Sequence, residues 1–220
     1  MRRILDALAS SVGRKIVMGL TGLLLVGFLI EHLLGNFKLL EDSTGEAFNE
    51  YVLWLKSFGP LLQLAELGLA ALFLCHIALA LRLTLENLAA RKQKYVVRGT
   101  HGEKTPGSVT MFITGALITG YLVKHLLDFR FDERYFEDPA AFVKLTLSQP
   151  QHGLAYLMAA FVVGLHLSHG FRSAFQSLGL SHPALNAYLQ KLGIAIAVLF
   201  ATGFAVFPLY FLFAWNGPAR

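Results

Sequence analysis

The stretch Thr21-Gly22-Leu-Leu-Leu-Val-Gly27-Phe-Leu-Ile-Glu-His32 decides how this chain is read. It is apolar except near its ends, carries glycines five residues apart, and closes on a histidine. The chain repeats it as Thr114-Gly115-Ala-Leu-Ile-Thr-Gly120-Tyr-Leu-Val-Lys-His125, so both copies fit Thr-Gly-x4-Gly-x4-His. A second echo follows the first. His76 precedes Arg82 by six residues and His166 precedes Arg172 by six, each pair closing an apolar run.

Composition sets the frame around these repeats. Of 220 residues, 55% are hydrophobic and only 15% are charged. Soluble domains average about 25% charged residues, so an ordinary globular protein is excluded. Apolar runs of about 20 residues match the hydrocarbon core of a bilayer. The fold expected is all-α: an integral membrane bundle of five transmembrane helices in a single domain covering 1–220. The spans fall at about 13–36, 60–88, 107–127, 151–178 and 187–213. Residues 1–12 read as a short interfacial lead. Residues 37–59 read as a loop whose Phe48, Tyr51, Val52, Trp54 and Leu55 form an amphipathic turn at the interface. Residues 128–150 read as a loop of mixed charge.

The formal charge of +5 is no nucleic-acid signal, because basic loops are expected of any membrane protein that follows the positive-inside rule. With a cytoplasmic N-terminus, 12 of the 19 Lys and Arg residues gather on that side, including Arg2, Arg3, Arg91, Lys92, Lys94, Arg98 and Lys104. That is the orientation expected. Cys75 is alone, which excludes an internal disulfide and a thiolate cluster. Met1 to Arg14 contains no short apolar run ending in a small-residue cleavage site, so the first hydrophobic segment is expected to be retained.

Depth follows from a rise of roughly 1.5 Å per residue. His32 and His125 each lie about 25 Å in from the cytoplasmic side. His76 and His166, on helices that run back, each lie roughly 9 Å above that side. Four histidines on four helices thus sort into an outer pair and an inner pair. An imidazole inside a membrane span is costly and marks function. Two facing imidazoles can bind a metal ion, relay protons, or serve as the axial ligands of a haem. Gly22, Gly27, Gly115 and Gly120 remove bulk and would admit a flat macrocycle, and Arg82 and Arg172 could pair with its propionates. His169, one turn from His166, is the rival ligand. His101 and His182 read as solvated, and His152 as interfacial or near a substrate opening.

Three further motifs carry a resemblance. They are Ser10-Ser-Val-Gly-Arg-Lys15, Glu31-His32-Leu-Leu-Gly-Asn36 and His166-Leu-Ser-His-Gly-Phe-Arg-Ser173. In their order and spacing the chain resembles the single-chain dihaem cytochrome b anchors of succinate dehydrogenases and fumarate reductases. The resemblance implies two stacked haem b groups held by the first four helices. His76 and His166 would bind the proximal haem iron, and His32 and His125 the distal one. It also implies a flavoprotein subunit and an iron–sulfur subunit on the cytoplasmic face of a bacterial cytoplasmic membrane. Electrons would pass between the iron–sulfur subunit and membrane quinone, expected to be menaquinone. The chain would be an enzyme only as the quinone-reactive subunit. It has no dinucleotide-type glycine fingerprint of its own.

In that family a carboxylate near the start of the second span takes the quinone's protons. Glu50 lies about there. Glu66 competes on physical grounds, because a carboxylate inside a span suggests proton handling. Two other readings of the chain compete: a transmembrane dihaem ferrireductase, and a haem-free transporter in which the histidines and Glu66 relay protons. A transporter favours helices broken at the midplane, and only Pro208 interrupts a span.

Overall fold

The structure is a computed structural model that describes residues 10–89, 106–180 and 182–217. Residues 1–9 of the interfacial lead, the basic loop with His101, and Arg220 lie outside the described residues, while Ser10 to Val12 of that lead cap and begin the first long helix. The described residues are mostly helical, with no strand among them. Five helices are long and apolar enough to cross a membrane. They are α1 (Ser11–Phe37), α3 (Pro60–Ala89), α4 (Pro106–His125), α6 (Pro150–Ser177) and α7 (Pro183–Phe213). Two short helices, α2 (Glu46–Ser57) and α5 (Pro139–Ser148), lie in the connections.

Local chemistry sets the helix ends. Ser10 caps α1 by accepting the Gly13 N–H at 3.0 Å. The other four long helices begin on proline, which lacks an N–H that the first turn could not have satisfied. After α6, Gly179 takes a φ of +82°, and Leu180 N–H returns to Phe175 C=O at 3.0 Å, closing the helix with a left-handed residue.

Close helix packing falls where side chains are small, as expected where apolar burial between lipid-bathed helices provides little drive. A Cβ at Gly164 would lie 2.7 Å from Ala201 Cβ, and one at Gly19 2.8 Å from Ala174 C=O. These contacts clamp α6 between α7 and α1. Phe200, Phe211 and Pro208 of α7 are almost wholly buried. The helix α3 differs. None of its residues is buried, and it rests mainly along α1.

The connections 38–59 and 131–149 meet at one end of the bundle as a helical cap. Asp42 starts α2, its carboxylate accepting from Gly45 N–H, Glu46 N–H (3.1 Å), Ala47 N–H (2.9 Å) and the Thr44 hydroxyl (2.7 Å). The Thr44 hydroxyl and these backbone donors hold its carboxyl far below the usual carboxylate range. The expected amphipathic turn is α2, with Phe48 and Val52 buried and Leu53 and Trp54 exposed. The connection 128–150 is more ordered than expected, because it contains α5. Asn49 joins the two cap helices, donating to Asp138 Oδ1 at 2.9 Å and accepting Ala140 N–H at 2.9 Å. Lys144, only 4% exposed, donates to Ser43 C=O at 3.0 Å and ties α5 to the loop before α2.

Candidate functional site: paired histidines at two levels

The bundle places the four histidines at two levels, with different contacts at each. At the level beneath the cap, His32 of α1 faces His125, the last residue of α4. Their ring centres are 5.7 Å apart and their planes lie at 87°. Aromatic side chains enclose them. Phe28 stacks on His32 at 5.4 Å, Phe204 of α7 lies 5.9 Å from it, and Phe129 and Tyr156 lie 5.3 Å and 6.0 Å from His125. His125 Nδ1 is buried without a hydrogen-bond partner. A buried polar nitrogen without a partner is unfavourable and asks for one.

The second level is built from the first residue of each repeat. Thr21 Oγ1 of α1 lies 3.0 Å from His76 Nδ1 of α3, and Thr114 Oγ1 of α4 lies 3.0 Å from His166 Nδ1 of α6. Both threonines are buried, at 6% and 3% exposure. His76 and His169 are the electrostatic neighbours of His166. Thr21 and His32 stand eleven residues apart on one helix, so the two levels are separated by about 16 Å along the axis.

The glycines divide by role. A Cβ at Gly22 would approach His76 Cε1 to 3.3 Å, and one at Gly115 would approach His166 Cε1 to 3.6 Å. These two make room for imidazole rings. Gly27 and Gly120 meet nothing within 4 Å and keep the clearance expected of all four.

The arginines also differ. Arg82 is 61% exposed and its Nε donates to Glu86 Oε1 at 3.0 Å, while Arg14 Nη2 reaches Glu86 Oε2 at 2.9 Å. Arg172 is half-buried and meets only amides in the described residues. Its Nη1 donates to Gln190 Oε1 at 3.3 Å, and the Gln176 amide, with its oxygen turned inward, accepts from Nε and Nη2 at 3.2 Å. Arg172 therefore keeps its charge uncompensated by any acid among the described residues, whereas Arg82 shares Glu86.

Neither expected carboxylate touches a histidine pair. Glu50 lines an open groove of about 280 Å³ on the cap with Lys38, Glu41, Tyr51 and Trp54. Glu66 accepts from Arg130 Nη2 at 2.9 Å, joining α3 to the end of α4. Beside the groove, Tyr51 Oη donates to Glu31 at 3.0 Å, and burial followed by the Glu31 carboxylate pushes its phenol up to about 12.

Sequence reasoning missed a polar cluster next to His125. Beyond that residue the helix widens into a π turn, Leu126–Arg130, which carries Asp128. Such turns recur at functional sites. Asp128 Oδ2 accepts from Lys124 Nζ at 2.6 Å and Tyr156 Oη at 2.8 Å, and lies 3.5 Å from His152 Nδ1. The signal present was a lysine and an aspartate four residues apart at the end of an apolar run.

The donor set suits a group that brings its own equatorial ligands. No group of three or more His, Cys, Asp or Glu side chains among the described residues could cage a bare ion. Zinc sites use three or four protein ligands, whereas a haem needs only axial ones. Two imidazoles on one metal, with metal–nitrogen bonds of about 2 Å, place their ring centres roughly 6 Å apart, which the 5.7 Å of His32 and His125 approaches. The paired histidines, open glycines and orphaned nitrogen therefore fit a haem. Comparison of the chain with protein-family models, curated proteins and solved structures returned no match.

Proposed function

We propose that this chain is a dihaem cytochrome b that anchors a succinate:quinone oxidoreductase in a bacterial cytoplasmic membrane. The observation that carries the proposal is the pairing of His32 with His125 across helices at one level, with His76 and His166 each held by a threonine of another long helix at the other. His32 and His125 would ligate one haem, and His76 and His166 the other. When bound, each haem supplies a one-electron iron couple.

The chain's own residues supply position and surroundings. Phe28, Phe204 and Tyr156 keep water from the His32–His125 level. Arg172, held by two amides rather than an acid, is the better propionate partner, because a guanidinium fork suits a carboxylate. Arg82 would have to share itself with Glu86. On the cap side, Glu50 is the better of the two carboxylates for exchanging a quinone's protons with water. It faces an open groove, whereas Glu66 is already engaged by Arg130. The chain carries no dicarboxylate chemistry. A flavoprotein and an iron–sulfur subunit docked on the cytoplasmic side, where the N-terminus would lie, would supply it.

The test is purification in mild detergent, with an absorption spectrum and identification of co-purifying subunits. Two b-type haems per chain and both soluble subunits are expected. A colourless protein from haem-replete cells would sink the proposal, and dihaem protein without those subunits would favour a ferrireductase.

A further inference from the structure

We infer that Thr21 and Thr114 are positioning residues that fix the ring tautomer of His76 and His166, so that Nε2 of each is the ligating atom. The inference deepens the proposed function and rests on reading these histidines as haem ligands.

A threonine hydroxyl has one proton to donate and lone pairs to accept with. Thr21 Oγ1 lies 3.0 Å from Met18 C=O as well as 3.0 Å from His76 Nδ1. A carbonyl can only accept. The one arrangement that makes both bonds gives the hydroxyl proton to Met18 and takes the N–H of His76 Nδ1. Thr114 repeats the arrangement. Its Oγ1 lies 3.0 Å and 3.1 Å from Thr110 and Met111 C=O, and 3.0 Å from His166 Nδ1. In a neutral imidazole with Nδ1 protonated, Nε2 carries the free lone pair. Each ring is thereby oriented by the long helix before its own, α1 for His76 and α4 for His166, and the glycine after each threonine clears space for Cε1.

This gives the repeated Thr-Gly dipeptide a purpose that its histidine eleven residues later does not explain. One repeat serves both levels: its histidine ligates at one, and its threonine sets a ligand at the other. Hydrogen bonding of a ligating histidine's remote N–H is known to fix ring orientation and raise ligand basicity. A more basic ligand favours the oxidised metal. Losing the bond should therefore raise that haem's potential or loosen the haem.

The experiment compares Thr21→Val, Thr114→Val, Thr21→Ser and Thr114→Ser in the purified full chain, reading haem content and the midpoint potential of each haem. Each valine variant should raise the potential of the His76–His166 haem or lose that haem, leaving the His32–His125 haem unmoved. Serine should restore wild-type behaviour. The inference is overturned if the valine variants match wild type, or if serine fails as valine does. A second reading is independent of haem: ¹⁵N NMR of histidine-labelled chain made without haem. Nδ1-protonated rings at His76 and His166, lost in the valine variants, are expected, and Nε2-protonated rings would overturn the inference. A wild-type chain that never binds haem yet shows the expected tautomers would instead sink the proposed function.

Discussion

Tyr156 Oη donates to Asp128 Oδ2 across the α4–α6 interface at 2.8 Å, and Lys124 Nζ reaches the same oxygen at 2.6 Å. One carboxylate therefore joins two helices beside His125. A hydrogen bond to a charged group contributes about 1.5–3 kcal/mol. Tyr156→Phe should destabilise the detergent-solubilised protein by about that amount. Asp128→Ala should cost more, because it removes both bonds and leaves Lys124 without its acid. Thermal unfolding in detergent checks the order. If Tyr156→Phe proves the costlier change, Asp128 is not the centre of the cluster.

The histidines should fall in pairs. Either His32→Ala or His125→Ala should remove one haem, and either His76→Ala or His166→Ala the other. His169→Ala should leave both, because the threonine bond goes to His166. Haem content and reduced-minus-oxidised spectra decide. If His169→Ala removes the haem that His76→Ala removes, His169 is the ligand.

The five long helices were legible because each is a long, predominantly apolar run, which leaves few alternatives in a bilayer. The pairing of His32 with His125 was legible because a helix converts residue number into depth. The cap helix α5 was not. Its starting Pro139 and the Pro150 that follows read as breaks, and its buried Lys144 read as a loop charge. Nor was the partner of Thr21, since a contact between α1 and α3 leaves no spacing to count along one helix. The repeat marked Thr21 and Thr114 as equivalent, and only the fold showed what each one touches.

The two carboxylates should separate on function. Glu66→Gln removes the charge that Arg130 holds, in a half-exposed pair of a kind that contributes about 0–1 kcal/mol, so stability should hardly move. Quinone turnover should also persist. Glu50→Gln should lower turnover at least about tenfold if that carboxylate exchanges the protons, since a positioned acid or base contributes on the order of 10²–10⁴ in rate. Steady-state quinone reduction by the assembled complex is the measurement. A larger loss in Glu66→Gln would return the role to the helix interior.

Acid should open the cap. The Thr44 hydroxyl and the α2 backbone hold the Asp42 carboxyl low, and the Asn49 side chain and Ala141 N–H hold that of Asp138 low. A carboxyl whose folded pKa is depressed gives stability that is present in full above the unfolded value, about 3.9, and is lost as pH falls below it. At the alkaline end the sign reverses. Tyr51 and Tyr135 are both pushed up to about 12, chiefly by burial, so their contribution is whole below about pH 10 and declines toward 12. Trp54, exposed on α2, reports cap opening by fluorescence. Asp42→Asn should keep the cap at neutral pH, since asparagine also caps helices, but should weaken the acid transition. An unchanged transition in the Asp42→Asn, Asp138→Asn double variant would assign it elsewhere.

The glycines offer the sharpest contrast between fold and cofactor. Gly164→Ala sets a methyl 2.7 Å from Ala201 Cβ and 3.0 Å from Ala197 C=O, short neighbours that cannot swing aside. The helices must part, and overpacking of that kind costs about 1–3 kcal/mol. Gly27 and Gly120 have open space where a side chain would go. If that space belongs to a macrocycle, Gly27→Leu and Gly120→Leu should leave the haem-free chain folded and inserted while lowering haem content. If it faces lipid, both variants should bind haem as wild type does. Haem stoichiometry set beside the melting temperature of the haem-free protein separates the outcomes. Loss of haem with an unchanged apo melt is the expected result, and it would locate the macrocycle along α1 and α4 from residues that make no bond to it.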